Sequence, residues 1–174
     1  MAGIAGDGTR AGAEVRTRGR RRAAGIYGAI ITAAILAAVG SQVPTPALAV
    51  SIVVTLLVYW IAEEYAEILG EQATGGHLPT WASIRAMLAS TWPMVSASYV
   101  PLLALLVVRG AGASAFTAAN TGLAVAIILL TFHAWAAGRA AQLRGWPLAG
   151  ATAIAAALGL IMVLLKDLVL VHLH

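Results

Sequence analysis

The chain of 174 residues is 60% hydrophobic and 10% charged, with a mean hydropathy of +0.87, which is too apolar for a soluble domain of this length. Its formal net charge of +4 does not indicate a nucleic-acid partner, because residues 1–22 carry six of the eleven Lys and Arg without interleaved aromatic residues. The absence of cysteine excludes disulfides, thiolate catalysis and cysteine-bound metals. A polytopic membrane protein is predicted.

Five apolar runs, each roughly 20 residues long, are sufficient to cross about 30 Å of hydrocarbon as helices. Residues 1–22, which precede the first run, lack apolar periodicity and are rich in Gly, Ala and Arg. We therefore expect a disordered basic tail there, held near anionic lipid by its charge. The predicted fold is all-α, with one five-helix transmembrane domain over 23–174 and spans at about 23–40, 47–69, 82–108, 114–138 and 147–171.

Small residues recur at a spacing of four inside three of these spans. Such faces let helix backbones approach closely in lipid, where no hydrophobic effect drives helix association. The pattern predicts tight packing, either within one chain or across a homodimer. The residues are Gly25 and Ala29, Ala33 and Ala37, Gly122 and Ala126, and Ala151, Ala155 and Gly159.

The distribution of Lys and Arg predicts the orientation in the membrane, because short loops rich in these residues stay cytoplasmic. Because successive loops lie on alternate sides of the membrane, five spans place nine basic residues on one side and two on the other. We expect a multi-pass protein of the cell membrane with its N-terminus cytoplasmic and its C-terminus outside. The inner set is Arg10, Arg16, Arg18, Arg20, Arg21, Arg22, Arg85, Arg139 and Arg144, and the outer set is Arg109 and Lys166.

The stretch VYWIAEEYAEILGEQ, residues 58–72, contains four of the seven acidic residues at the end of the second predicted span. On a helix Glu63, Glu67 and Glu71 share one face, while Glu64 lies about 100° around the axis from Glu63. Carboxylates are hard oxygen ligands, so Glu63, Glu64 and Glu67 are candidate ligands for a divalent cation. Alternatively, Glu67 and Glu71 lie in headgroup water, where the surroundings are already polar.

Glu63 and Glu64 are the strongest candidates because the five residues before them, VYWIA, are apolar or aromatic. A carboxylate within hydrocarbon costs on the order of 2–3 kcal/mol and normally has a partner or faces a cavity. Arg85, just inside the third span, is a candidate ion-pair partner. His133, near the inner end of the fourth span, is a candidate metal ligand or proton relay, because an imidazole titrates near neutral pH. Its alternative role is a hydrogen bond to a neighbouring helix.

The remaining polar residues give weaker indications of a functional site. His77 in the loop after the second span, and His172 and His174 at the C-terminus, could bind a metal only with further ligands. Asn120 and Thr121 in the fourth span are expected to form interhelical hydrogen bonds. No catalytic motif such as G-x-S-x-G, H-E-x-x-H or a phosphate-binding glycine loop is found, so an enzyme is not predicted.

Four segments resemble the vacuolar iron transporter family. RRRAAGIYGAIITAAILAAVG, residues 20–40, is similar to its first span, and AEEYAEILGEQ, residues 62–72, to the glutamate-tyrosine motif that ends its second span. SIRAMLASTWPMVSASYVPLLALLV resembles its proline-containing third span, and AWAAGRAAQLRGWPLAGATAIAAALGLIM its last hairpin.

This resemblance implies a homodimer whose interface carries Fe²⁺ or Mn²⁺ in exchange for protons. Glu64, which precedes Tyr65, would then be the carboxylate of the glutamate-tyrosine motif. Two family features are absent: Ile26 and Tyr27 stand where the first span has an acidic residue before its glycine, and the cytoplasmic metal-binding insertion is reduced to 70–81. The alternatives are a non-transporting membrane scaffold or accessory module, or a small-solute carrier.

Overall fold

The computed structural model describes residues 3–40, 42–75 and 80–172, including most side chains of 14–70 and 80–168. His77 and His174 lie outside the described residues, as do the side chains of Glu71 and His172. Within the described part the structure contains helices and no strand. They are α1 (Gly3–Val39), α2 (Thr45–Gly75), α3 (Trp81–Thr91), α4 (Pro93–Ser96), α5 (Tyr99–Gly110), α6 (Ala115–Ala140) and α7 (Trp146–His172).

Five helical segments are long and apolar enough to cross a membrane, when α3, α4 and α5 are counted as one. The predicted all-α, five-span architecture is therefore confirmed. The third segment is interrupted twice, at Trp92 and at residues 97–98, as expected from its prolines, which lack the N–H that a continuous helix needs. Pro93 begins α4 directly after Trp92, and Pro101 lies in the first turn of α5.

The N-terminal segment differs from our expectation of a disordered tail, because α1 is one helix that begins at Gly3 and continues into the first span. Helix formation is costly to start but inexpensive to extend, and the span already supplies the nucleus. Ala and Arg are good helix formers, and Glu14 pairs with Arg18 one turn later at 3.5 Å. The basic segment therefore continues the first span as helix.

α1 is the central helix, and it contacts α2, α3, α4, α6 and α7. The small residues that we singled out on α1 are all buried, with Ala29 and Ala33 fully so. Gly122 of α6 approaches Pro101 and Leu105 of α5 in the same manner. The small-residue faces therefore pack helices within one chain, which answers a question that the sequence left open for these positions.

Gly28 marks the closest backbone approach in the bundle core. A Cβ added at Gly28 would overlap the carbonyl group of Met94 and lie 3.0 Å from its Cα. Backbone atoms cannot move aside as the end of a flexible side chain can. Gly28, which has no side chain, thus allows the backbone of α4 to pack directly against α1.

We expect Gly28→Ala to lower the free energy of unfolding by about 1–3 kcal/mol or more, because overpacking against a backbone forces helices apart. Gly25→Ala is the matched control, since its added Cβ would meet the His133 ring at an ordinary 3.5 Å. Thermal unfolding of both variants in detergent, followed by circular dichroism, checks the difference. Equal midpoints for the two variants would contradict the close approach.

Candidate functional site

α2 distributes its glutamates over different environments. Glu64 is only 3% exposed, Glu67 is half-buried and Glu63 is exposed. Residues three apart on a helix are neighbours, so Glu64 and Glu67 reach the same partner on α1. The structure therefore groups Glu64 with Glu67, whereas the spacing of four had grouped Glu67 with Glu63.

Arg20 of α1 is the cation beside these two carboxylates. Its two terminal nitrogens donate to the two carboxylate oxygens of Glu67 in a bidentate pair. One of them, Nη2, also lies 3.9 Å from Glu64 Oε1. Bidentate arginine–carboxylate pairs are among the stronger and more directional ion pairs in proteins. Arg20 thus ties α1 to the end of the second span.

Arg85, our candidate ion-pair partner, is exposed on α3 and takes part in no ion pair among the described residues. Arg85 is suggested by its expected membrane depth, which does not determine the direction of a side chain around its helix. Arg20 was overlooked because it falls in the segment expected to be disordered. The i, i+3 spacing of Glu64 and Glu67 was the signal that one cation could serve both.

Thr91, the last residue of α3, is the second partner of Glu64. Its hydroxyl donates to Glu64 Oε1, and it accepts from the indole nitrogen of Trp60 at 3.0 Å. The Trp60 ring packs edge-on against Trp92 with ring centres 5.2 Å apart. Trp60 precedes Glu64 by one helical turn, so this chain of contacts fixes the carboxylate from both α2 and α3.

The second carboxylate oxygen of Glu64 has no such partner. Glu64 Oε2 is buried and has no hydrogen-bond partner within the described part of the chain. An unsatisfied buried acceptor costs about 1–3 kcal/mol, and more when it is charged. By formal charge, Glu64 and Glu67 together exceed Arg20 by one negative charge. Both observations indicate an environment that favours one additional positive charge at Oε2.

Glu63 lies at an open cleft of about 390 Å³ rather than in the interior. Tyr27, Tyr59, Ala62 and Met94 line the cleft together with Glu63. The two tyrosine rings contact each other edge-on, with centres 6.5 Å apart. The exposed carboxylate at this cleft, Glu63, thus directly precedes the buried Glu64 on α2.

His133 is part of a different environment. Its Nδ1 lies 2.7 Å from the Leu129 carbonyl of its own helix, and because a carbonyl only accepts, Nδ1 carries the hydrogen. The ring lies against Gly25 of α1. Among the described residues no three His, Asp or Glu side chains are grouped so that they could hold a metal. The candidate ligands Glu63, Glu64, Glu67 and His133 therefore do not converge within one chain.

A second polar contact joins α6 and α7. Lys166 donates to the side-chain oxygen of Asn120 and lies 5.0 Å from the centre of the Phe116 ring. The predicted interhelical hydrogen bond of Asn120 is confirmed. The same prediction for Thr121 is wrong, because its hydroxyl donates to the Thr117 carbonyl of its own helix.

No protein-family model, no curated protein and no solved structure matches this chain. The resemblance to the vacuolar iron transporter family thus stays a prediction. A functional interpretation therefore depends on the contacts and burial of Glu64.

We expect Arg20→Gln to lower the free energy of unfolding by about 1–2 kcal/mol, because it leaves two neighbouring carboxylates without their shared cation, an effect that partial exposure reduces. Arg85→Gln is the control, and it should be neutral. Thermal midpoints in detergent test both variants. Addition of Glu67→Gln to Arg20→Gln should recover part of the loss, and the interpretation fails if Arg85→Gln is the more damaging single change.

Proposed function

We propose that this protein transports cations across the cell membrane, and that Glu64 binds the transported ion in exchange for protons. The observation that carries the proposal is the buried oxygen Glu64 Oε2, without a partner among the described residues, in a helix able to span a membrane. Ionisable residues inside spans are costly and are retained mainly where they bind or move ions.

The chemistry of the neighbouring groups favours a hard divalent cation such as Fe²⁺ or Mn²⁺. The Thr91 hydroxyl bonds to the other oxygen of Glu64, and the carboxylate of Glu67 shares Arg20 with Glu64; such oxygen ligands suit these ions. A cation bound at Glu64 would compete with the guanidinium of Arg20, which stays attached to Glu67. When the divalent cation leaves, one proton on Glu64 Oε2 neutralises the single negative charge that Arg20 leaves unpaired.

A homodimer would supply what one chain lacks. Glu63 is exposed on α2 between the exposed apolar residues Ile61 and Tyr65, and a bare carboxylate facing lipid is unfavourable. A second copy placed over this face would cover Glu63 and bring further carboxylates towards the same cleft. The cleft with Tyr27 and Tyr59 then becomes the entrance for the ion.

Uptake of Mn²⁺ into proteoliposomes with an imposed pH gradient tests the proposal. We expect Glu64→Gln to reduce the initial rate at least about tenfold, because the amide keeps the shape and loses the charge that the ion needs. Glu14→Gln is the matched control, since Glu14 is an exposed carboxylate of α1. Uptake by Glu64→Gln at the rate of the unchanged protein would refute the proposal.

A membrane scaffold is the second candidate function. It is favoured by the way Arg20, Glu64, Glu67 and Thr91 connect α1, α2 and α3 without any grouped metal ligands among the described residues. In that case the unchanged protein shows no uptake of Mn²⁺, Fe²⁺ or protons above empty liposomes. Glu64→Gln would then alter only the thermal midpoint.

A further inference from the structure

A second cleft lies away from the glutamates, between the N-terminal part of α1 and the last turn of α6. It encloses about 520 Å³. Its floor consists of small residues, among them Gly19, Ala23, Ala137 and Ala140. A Cβ added at Gly19 would have no atom within 4 Å, so the cleft has room for a larger side chain at this position.

One face of α1 supplies the remaining lining. Val15, Arg18, Arg22 and Ile26 follow one another at spacings of three and four, which places them on the same side of the helix. Ile26 lies within the apolar run of the first span, whereas Arg18 and Arg22 precede that run. The cleft therefore changes from basic to apolar along the direction of the predicted membrane normal.

The positive charge of this cleft is largely uncompensated. Within the described part of the chain Arg18 pairs only with Glu14, at 3.5 Å, and both side chains are more than two-thirds exposed, so the pair contributes little. Arg22 forms no ion pair among the described residues. Arg139, next to Ala140 in α6, adds a further cation to this end of α6.

We propose that this cleft binds one anionic phospholipid. Arg18 and Arg22 hold the phosphate, and an acyl chain lies along Ile26 and the alanines of α6. The charge complementarity and the basic-to-apolar order match a phospholipid at the level where headgroups meet hydrocarbon. The site differs from general attraction of a basic tail because only one face of α1 and the end of α6 form it. It does not depend on cation transport.

Native mass spectrometry of the full chain, released from micelles doped with equal phosphatidylglycerol and phosphatidylcholine, tests the proposal. We expect one phosphatidylglycerol to be retained in preference to phosphatidylcholine. The double variant Arg18→Gln/Arg22→Gln should lower that retention at least about fivefold, roughly the effect of one arginine on anionic lipid. Arg16→Gln/Arg21→Gln removes the same charge from exposed positions outside the cleft and should retain the lipid.

A second pair of variants tests the shape of the cleft without changing charge. Gly19→Leu should block the floor and lower retention, whereas Gly12→Leu, also in open space on α1, should not. Size-exclusion profiles confirm that each variant is folded. Equal losses in both arginine double variants, or equal retention of the two lipids, would overturn the proposal, and so would full retention by Gly19→Leu.

Discussion

The burial of the Glu64 carboxylate inside a membrane-spanning helix is the constraint on which the arrangement of the surrounding helices depends. A carboxylate in that position needs groups that offset its loss of water. Arg20 belongs to α1 and Thr91 to α3, so these contacts fix the positions of α1 and α3 along the axis of α2. The contact with Glu67 holds Arg20 in place, and by formal charge one negative charge of the two carboxylates stays unpaired with Arg20.

Tight packing around α1 makes that placement rigid. Small residues along α1 let other helices approach within backbone contact, most closely at Gly28 beside Met94. The interruption between α3 and α4 lies close to both this contact and the site, because α3 ends at Thr91 and α4, which contains Met94, begins two residues later at Pro93. Packing and polar contacts therefore support each other at the same level of the bundle.

Hydropathy and spacing were sufficient for the five spans and the buried small-residue faces, because both follow from side-chain size and polarity along one helix. They also singled out Glu64, together with Glu63, because an apolar run directly precedes the pair. They could not identify the partner of Glu64. Arg20 and Arg85 are both arginines, and only the direction of each side chain around its helix decides which of them reaches the carboxylate. Thr91 and Trp60 gave no signal, since their roles arise only when α2 and α3 meet.

The Arg20–Glu67 pair connects the first two spans of the chain, and this has a consequence for biosynthesis. α1 leaves the ribosome before α2, so the guanidinium of Arg20 is already present when the acidic end of α2 follows. The first hairpin can thus enter the bilayer with one of its carboxylates already matched. The Thr91 contact forms only after the third span arrives, which makes completion of the Glu64 environment a late event in assembly.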